Sequence, residues 1–219
     1  MSETAATARS SSPVPASEPG RLTQAERRDR SERELLEATL RVVSEQGVSA
    51  ATFEAIGKEA GYSRGLVTQR FGSKDGLIRS LIAYLHAWQE EILDRDQVAE
   101  MDGLTALCAF VDLHCQALGG QEEGKAYYML LAAAVADLQD TRQAFADEHE
   151  VERVLIRGII ERGQAEGTIR ADVDADATAL MTGCALIGIR MQSLIDPETE
   201  TGPIRDALIA SLRARLAPA

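Results

Sequence analysis

Two short helical segments joined by a single tight turn constrain this chain more than any other feature. The stretch after Thr52, a candidate N-cap, sets Phe53, Ile56 and Ala60 on one helical face and stops at Gly61, where a left-handed C-terminal residue costs least as glycine. Ser63, two residues on, can cap a second short helix that ends at Gly72. Upstream, Thr23 with Glu26, or Ser31 with Glu34, can form a capping box opening a first helix. Leu36, Leu40 and Val43 then fall at i, i+4 and i+7 before Gly47 ends the run. Downstream, Ser73 caps a fourth helix, with an apolar stripe through Leu77, Ile78, Leu81, Ile82, Leu85, Trp88 and Ile92. Short helices joined by a glycine turn and braced on both sides form a helix-turn-helix.

The remaining pattern is also helical. The sequence predicts helices over Gly103–Leu118, broken by Gly119-Gly120, then roughly Gly124–Asp137, Thr141–Glu166, Asp174–Ile195 and Pro203–Leu216. No segment alternates apolar and polar residues long enough for a strand. The expected fold is all-α with about nine helices: a tail over 1–20, rich in Ser, Ala and Pro and read as disordered, a helix-turn-helix domain over 21–72, and a larger helical domain over 73–219. The N-terminus lacks an apolar signal segment and no run of 18 apolar residues occurs, so the expectation is a cytoplasmic protein without a membrane span.

A net charge of −12 looks wrong for a polyanion's partner, so its distribution decides. From Arg21 to His86, 11 Lys/Arg stand against 9 Asp/Glu; from Ala87 onward 11 stand against 24. Charge is segregated, and only the N-terminal part tolerates nucleic acid. In the second short helix the exposed positions carry Arg64, Thr68, Gln69 and Arg70, while Leu66, Val67 and Phe71 face inward. Arg can bond guanine bidentately, Gln can bond adenine, and Arg or Thr can hold phosphate. Gly65 lets backbone approach a duplex closely, and the helix start at Ser63 offers N–H groups to a phosphate.

At this point the chain resembles the TetR family. The stretch RELLEATLRVVSEQGVSAATFEAIGKEAGYSRGLVTQRFGSKDGL, Arg33 to Leu77, is similar to that family's DNA-binding domain along its length. The AGYSRG turn, the Phe-Gly-Ser-Lys-Asp segment and Thr52 at a helix start carry the likeness. The resemblance implies DNA contacts by Arg64, Gly65, Thr68, Gln69 and Arg70. It implies phosphate contacts by Thr52, Ser63 and Lys74, and backbone contacts by Arg27, Arg28 and Arg30. One departure stands out: the family often places tyrosine, then tyrosine or histidine, where this chain has Thr68, Gln69 and Arg70, which shifts phosphate anchoring toward Arg70.

The segment EGTIRADVDADATAL is similar to the family's link into its dimerisation helices. The eighth helix is apolar on nearly every side, which demands two buried faces. A homodimer supplies the second, through Leu180, Cys184, Ile187 and Met191 with Ile204, Leu208 and Leu212 from the ninth helix. The resemblance also implies a small-molecule pocket between the fourth and eighth helices, for which Trp88, Phe110, His114, Tyr127, Tyr128, Met129 and Met191 are of suitable type. A largely apolar effector is expected, since no basic cluster appears there.

Other chemistries find less support. Gly61-Tyr62-Ser63-Arg64-Gly65 matches a nucleophile elbow, but that motif needs a preceding strand. Asp172, Asp174 and Asp176 begin like a calcium loop, yet Ala177 and Gly183 occupy its glycine and glutamate positions. Cys108, His114 and Cys115 read as core rather than a metal site, and the three cysteines as buried free thiols. No enzyme, metal or cofactor is expected. The expected function is a transcriptional regulator, a repressor released from a palindromic double-stranded DNA operator by the effector. Its alternatives are a regulator controlled by a protein partner through the acidic domain and a small helical enzyme.

Overall fold

The computed structural model describes residues 23–95, 98–117, 122–136 and 141–218, so the expected 1–20 tail and the Gly119-Gly120 break lie outside the described residues. Among the described residues nine α-helices and two 3₁₀ turns form the chain, with no strand. They are α1 (Gln24–Gln46), α2 (Phe53–Ala60), α3 (Arg64–Phe71), α4 (Lys74–Arg95), α5 (Gly103–Ala117), α6 (Glu122–Ala136), α7 (Thr141–Glu166), α8 (Ala175–Ile195) and α9 (Thr201–Leu216). The 3₁₀ turns, Val48–Ala50 and Val98–Glu100, carry no periodic signal in the sequence.

Local chemistry sets most boundaries. Thr23 and Glu26 close the capping box that opens α1, while Ser31 lies inside that helix, donating its hydroxyl to the Arg28 carbonyl. Thr52, Ser63 and Asp174 cap α2, α3 and α8, accepting from the backbone N–H of Ala55, Leu66 and Ala177. Gly61 ends α2 at φ 74°, the left-handed region that an L side chain enters at a cost. The ninth helix starts before Pro203, which sits in the first turn where its missing N–H has no intrahelical acceptor.

Two apolar clusters hold the fold. The first joins the inner face of α1 to Ile56 of α2, to Val67 and Phe71 of α3 and to the stripe of α4. It then continues without a break into Ala126–Ala134 of α6 and Phe145 of α7. The second gathers Leu107, Phe110 and Val111 of α5 with Ile156 and Ile160 of α7, Leu186 and Ile189 of α8, and Leu212 and Leu216 of α9. Val67 and Phe71 are the two buried side chains of α3, each worth on the order of 2–3 kcal/mol of burial. They fix the recognition helix while leaving its other face in water.

The eighth helix has one covered and one uncovered face. Its length and mean hydropathy of 1.3 are those of a membrane span. Yet only one face is covered by α7, α5 and α9, and that face carries Thr178, Thr182 and Arg190. Leu180 and Met181 are exposed at 56% and 39%. Cys184, expected to be buried, is exposed, unlike Cys108 and Cys115, because it follows Leu180 by one helical turn on the uncovered face.

The crossing of α5 and α7 depends on glycine. A Cβ on Gly103 would lie 2.3 Å from the Gly163 Cα and 2.8 Å from the Ile159 carbonyl oxygen, both backbone atoms. The two helices therefore meet backbone to backbone, and the Gly103 N–H donates to Glu166 Oε2 at 2.8 Å. Gly103→Ala is expected to destabilise the protein by about 1–3 kcal/mol through overpacking. Thermal unfolding should show a drop of about 2–4 °C for each kcal/mol lost, and an unchanged midpoint would refute the crossing as drawn.

Candidate nucleic-acid interface and buried polar cluster

The helix-turn-helix is locked by a close approach and by cross-links to α1. A Cβ on Gly57 would lie 2.8 Å from the Tyr62 carbonyl oxygen, so the turn can fold back onto α2 only over glycine. The Tyr62 hydroxyl donates to the Glu34 carboxylate, which also takes Arg30 Nε at 2.8 Å. These bonds hold the Glu34 carboxyl below its ordinary range and raise the Tyr62 phenol. Arg41 of α1 pairs with Glu59 of α2 at 2.9 Å. Arg70 of α3 turns back to donate to Ser31 Oγ at 3.1 Å.

One face of α3 stays free of these ties. Arg64, Gly65, Thr68 and Gln69 are exposed, with 64 and 68, and 65 and 69, one turn apart. A Cβ on Gly65 would meet only Ser63 Oγ, at 3.7 Å, so nothing among the described residues requires glycine there. Thr68 donates its hydroxyl to the Arg64 carbonyl at 3.1 Å. Arg70 is half-buried and braces α3 rather than standing out beside Gln69. Arg27 and Arg28 are exposed in the first turns of α1, and the caps Thr52 and Ser63 have hydroxyls that accept from helix N–H groups and keep their own hydrogen to donate. Lys74 is exposed and gives one hydrogen to the Val48 carbonyl at 3.1 Å. The surface offers cations and polar donors around a bare strip of helix backbone.

A second assembly lies inside the helical domain. The three histidines, His86 of α4, His114 of α5 and His149 of α7, converge on Tyr127 and Tyr128 of α6. Tyr127 Oη meets His149 Nε2 at 2.9 Å, and Tyr128 Oη lies 3.4 Å from His114 Nε2. The Tyr127 ring makes edge contacts with His86, Tyr128 and Phe145 at 5.1–5.4 Å. Phe110 stacks on His114 at 6.0 Å. Glu152 of α7 places Oε1 3.5 Å from His114 Nδ1, and Glu148 lies 3.7 Å from His86.

Of the residues expected to line a pocket, Phe110, His114, Tyr127 and Tyr128 meet here. Met129 and Met191 pack half-buried against the first core cluster. Trp88 stands apart, lining a groove of about 650 Å³ between α1 and α4 with Asp29, Glu32, Arg33 and Tyr84. Sequence reasoning missed His86, His149, Glu148, Glu152 and Arg190. The scarcity of histidine, three in the whole chain and each inside an apolar helical pattern, was the available signal.

The dimer candidates also divide. Leu180, Cys184 and Ile204 are exposed, and Ile187, Met191 and Leu208 are half-buried. Leu212 is only 2% exposed and belongs to the core of its own protomer, packed with Leu216, so it has no surface to offer a partner. In its place α7 presents Val151, Val154 and Leu155, exposed at 44–58%. The carboxylates of the calcium-like run have local duties: Asp172 pairs with Arg170, Asp174 caps α8 and Asp176 takes Arg153.

Residues 35–81 match the family model described as bacterial regulatory proteins, tetR family. A curated relative, the HTH-type transcriptional regulator BetI 1 of Chromohalobacter salexigens, is 44% identical over 48 residues, 22% of this chain and 24% of the relative. The chain thus matches only about a quarter of the length of its curated relatives. Solved structures cover far more. A TetR transcription regulator from Haloarcula marismortui superposes with a TM-score of 0.74 at 21% identity, covering 86% of this chain and 99% of its own. A candidate transcriptional regulator from Saccharomonospora viridis, in complex with choline, does so with 0.71 at 22% identity, covering 87% and 100%.

The buried pair Glu152–His114 makes a pH prediction. Burial raises Glu152 from 4.5 to about 7 and, aided by the Arg190 charge, lowers His114 from 6.5 to about 4. Unfolded, the pair holds one proton between pH 4.5 and 6.5, on the imidazole. Folded, it holds one between about pH 4 and 7, on the carboxyl. Proton counts match, so the pair adds almost no slope to stability. Glu152→Gln removes a penalty that grows as pH rises from the ordinary carboxyl value of 4.5 to the folded value of about 7 and then levels off. The variant should therefore gain stability over the parent at pH 7.5 and lose that gain by pH 4.5. Parallel stability–pH curves from denaturant titration would overturn this assignment.

The geometry of the turn, the match over residues 35–81 and superpositions covering 86–87% of the chain agree: residues 35–81 match the model for bacterial regulatory proteins of the tetR family, in a chain that has the fold of the solved regulators it superposes on.

Proposed function

We propose that the protein is a cytoplasmic, homodimeric repressor that binds a palindromic operator and is released by a small-molecule effector. The observation that carries this reading is the bare outer face of α3. Arg64, Gly65, Thr68 and Gln69 stand exposed on a helix whose inner face is fixed by Val67 and Phe71. In the major groove Arg64 and Gln69 read base edges. Thr52, Ser63, Lys74, Arg27 and Arg28 hold phosphates around them, and Arg70 supports them by fixing α3 to α1.

The uncovered apolar faces of α7 and α8, with Val151, Leu155, Leu180 and Cys184, support a partner subunit. Two-fold symmetry then sets the recognition helices about 34–36 Å apart. The polar cluster under Tyr127 and Tyr128 supports an effector site. It borders the same continuous core that carries α3, so a ligand preferring another packing of α4 and α6 shifts the spacing of the recognition helices. The choline bound by the Saccharomonospora structure supports a small-molecule site on this fold.

Selection from a random duplex library at about 0.15 M salt tests the reading. It should enrich one inverted repeat. Gln69→Ala should weaken binding by about 1–3 kcal/mol and relax preference at one base position per half-site. Gly65→Ala should leave the thermal midpoint within a few degrees, because its Cβ meets only Ser63 Oγ at ordinary contact distance, yet reduce operator affinity by blocking backbone approach. No enriched repeat, or full operator affinity in the triple variant Arg64→Ala, Gln69→Ala, Arg70→Ala, would sink the proposal.

A further inference from the structure

Arg190 is a buried cation that its own fold does not satisfy. It projects from α8 into the seam with α5 and α6 and is 5% exposed. Its charge bears on His114 and Cys115 of α5 and on Tyr128 of α6. Among the described residues no ion pair or hydrogen bond engages its guanidinium; Nε is buried without an acceptor, while the two terminal nitrogens keep the small exposure the residue has. A guanidinium cannot escape this by giving up its proton, and an unpaired buried charge is among the costliest groups a core can hold.

The nearby carboxyls do not neutralise it. Asp112 of α5 is taken by Arg205 at 3.2 Å. Glu152 of α7 lies 3.5 Å from His114 Nδ1 and makes no ion pair with Arg190, and burial alone governs its titration, with no cation easing it. A cation and a carboxyl therefore share one cluster without pairing. The first lacks an anion.

We infer that Arg190 anchors the effector, and that the effector is a monocarboxylate whose anionic end is taken by the guanidinium fork while its apolar body packs among the aromatic rings. This rests on the reading of the chain as an effector-controlled regulator. The planar fork matches a carboxylate with two parallel bonds. Tyr128 and the neutral imidazole of His114 are the other polar groups at hand. A second negative charge would find no second cation and would face Glu152. A cationic ligand would be repelled by Arg190.

The test uses the full-length protein and a panel of probes: straight-chain carboxylates from acetate to decanoate, benzoate and phenylacetate, each beside the alcohol, amine and phosphate monoester of the same skeleton. At about one hundred times its Kd a responding carboxylate should raise the thermal midpoint by about 5–10 °C. The matched alcohol, amine and phosphate ester should not. Arg190→Met should abolish the response and, without ligand, unfold at the same temperature as the parent or higher. Arg190→Lys, which keeps the charge but not the fork, should bind the same carboxylate about tenfold more weakly by calorimetry.

A less stable Arg190→Met would overturn the inference, because it would show a structural partner for the guanidinium. So would equal shifts by amines or alcohols, a preference for phosphate esters, a carboxylate response that survives in Arg190→Met, or no responding carboxylate at about 10 mM. These outcomes are separate from the operator reading. An inverted repeat selected by a protein deaf to carboxylates leaves the regulator standing and removes only this ligand class. Carboxylate binding without any operator does the reverse.

Discussion

The inner face of α1 is the surface on which the rest of the fold is assembled. Leu35, Leu36, Leu40, Val42 and Val43 are buried together, and they meet α2 and α3 on one side and α4 and α6 on the other. Hydrophobic burial is non-directional, so this face alone would not fix angles. The directional ties do that: Tyr62 to Glu34, Arg41 to Glu59 and Arg70 to Ser31 each link α1 to a different part of the helix-turn-helix. Remove α1 and neither the recognition helix nor the underside of the polar cluster keeps its support.

How far the sequence disclosed this structure depended on whether a signal was local. Helix ends were legible, because capping hydroxyls and terminal glycines act on neighbours within four residues. Thr52, Gly61, Ser63 and Asp174 stand where their chemistry predicts. The exposed face of α3 was legible for the same reason, although Arg70 was not: its choice between solvent and Ser31 depends on a residue 39 positions away. The polar cluster depended on convergence from five helices. His86, His149, Glu152 and Arg190 sit in apolar stripes where periodicity registers a position but not what faces it. The all-round apolarity of α8 goes with an uncovered face carrying Leu180 and Met181. It could not show which ninth-helix residues shared that face, and Leu212 turned inward.

The cluster runs against the economy of a core. Its members are polar groups that a purely structural interior would replace with leucine, which is why Tyr127 and Tyr128 are pushed toward higher titration values and His149 toward lower ones by burial. Proteins keep such groups where specificity outweighs stability. Glu152 and His114 limit the cost by exchanging which of them carries a proton, while Arg190 has no such exchange. The stability held back here is a reserve that a matching ligand can recover on binding.

The uninterrupted first cluster bears on how regulators of this fold can be recombined. By sequence alone Gly72 is the natural place to cut, since the family match ends shortly afterward, at residue 81. Yet the same apolar mass contains Leu35 and Tyr128, so a graft at that point would splice two halves of one interior. A working chimera would have to carry the α1-facing side of α4 and α6 along with the DNA reader. The recognition module is a detachable unit in sequence and an inseparable one in packing. Exchange of specificity between relatives is therefore easier through a few exposed positions on α3 than through transplantation of the domain.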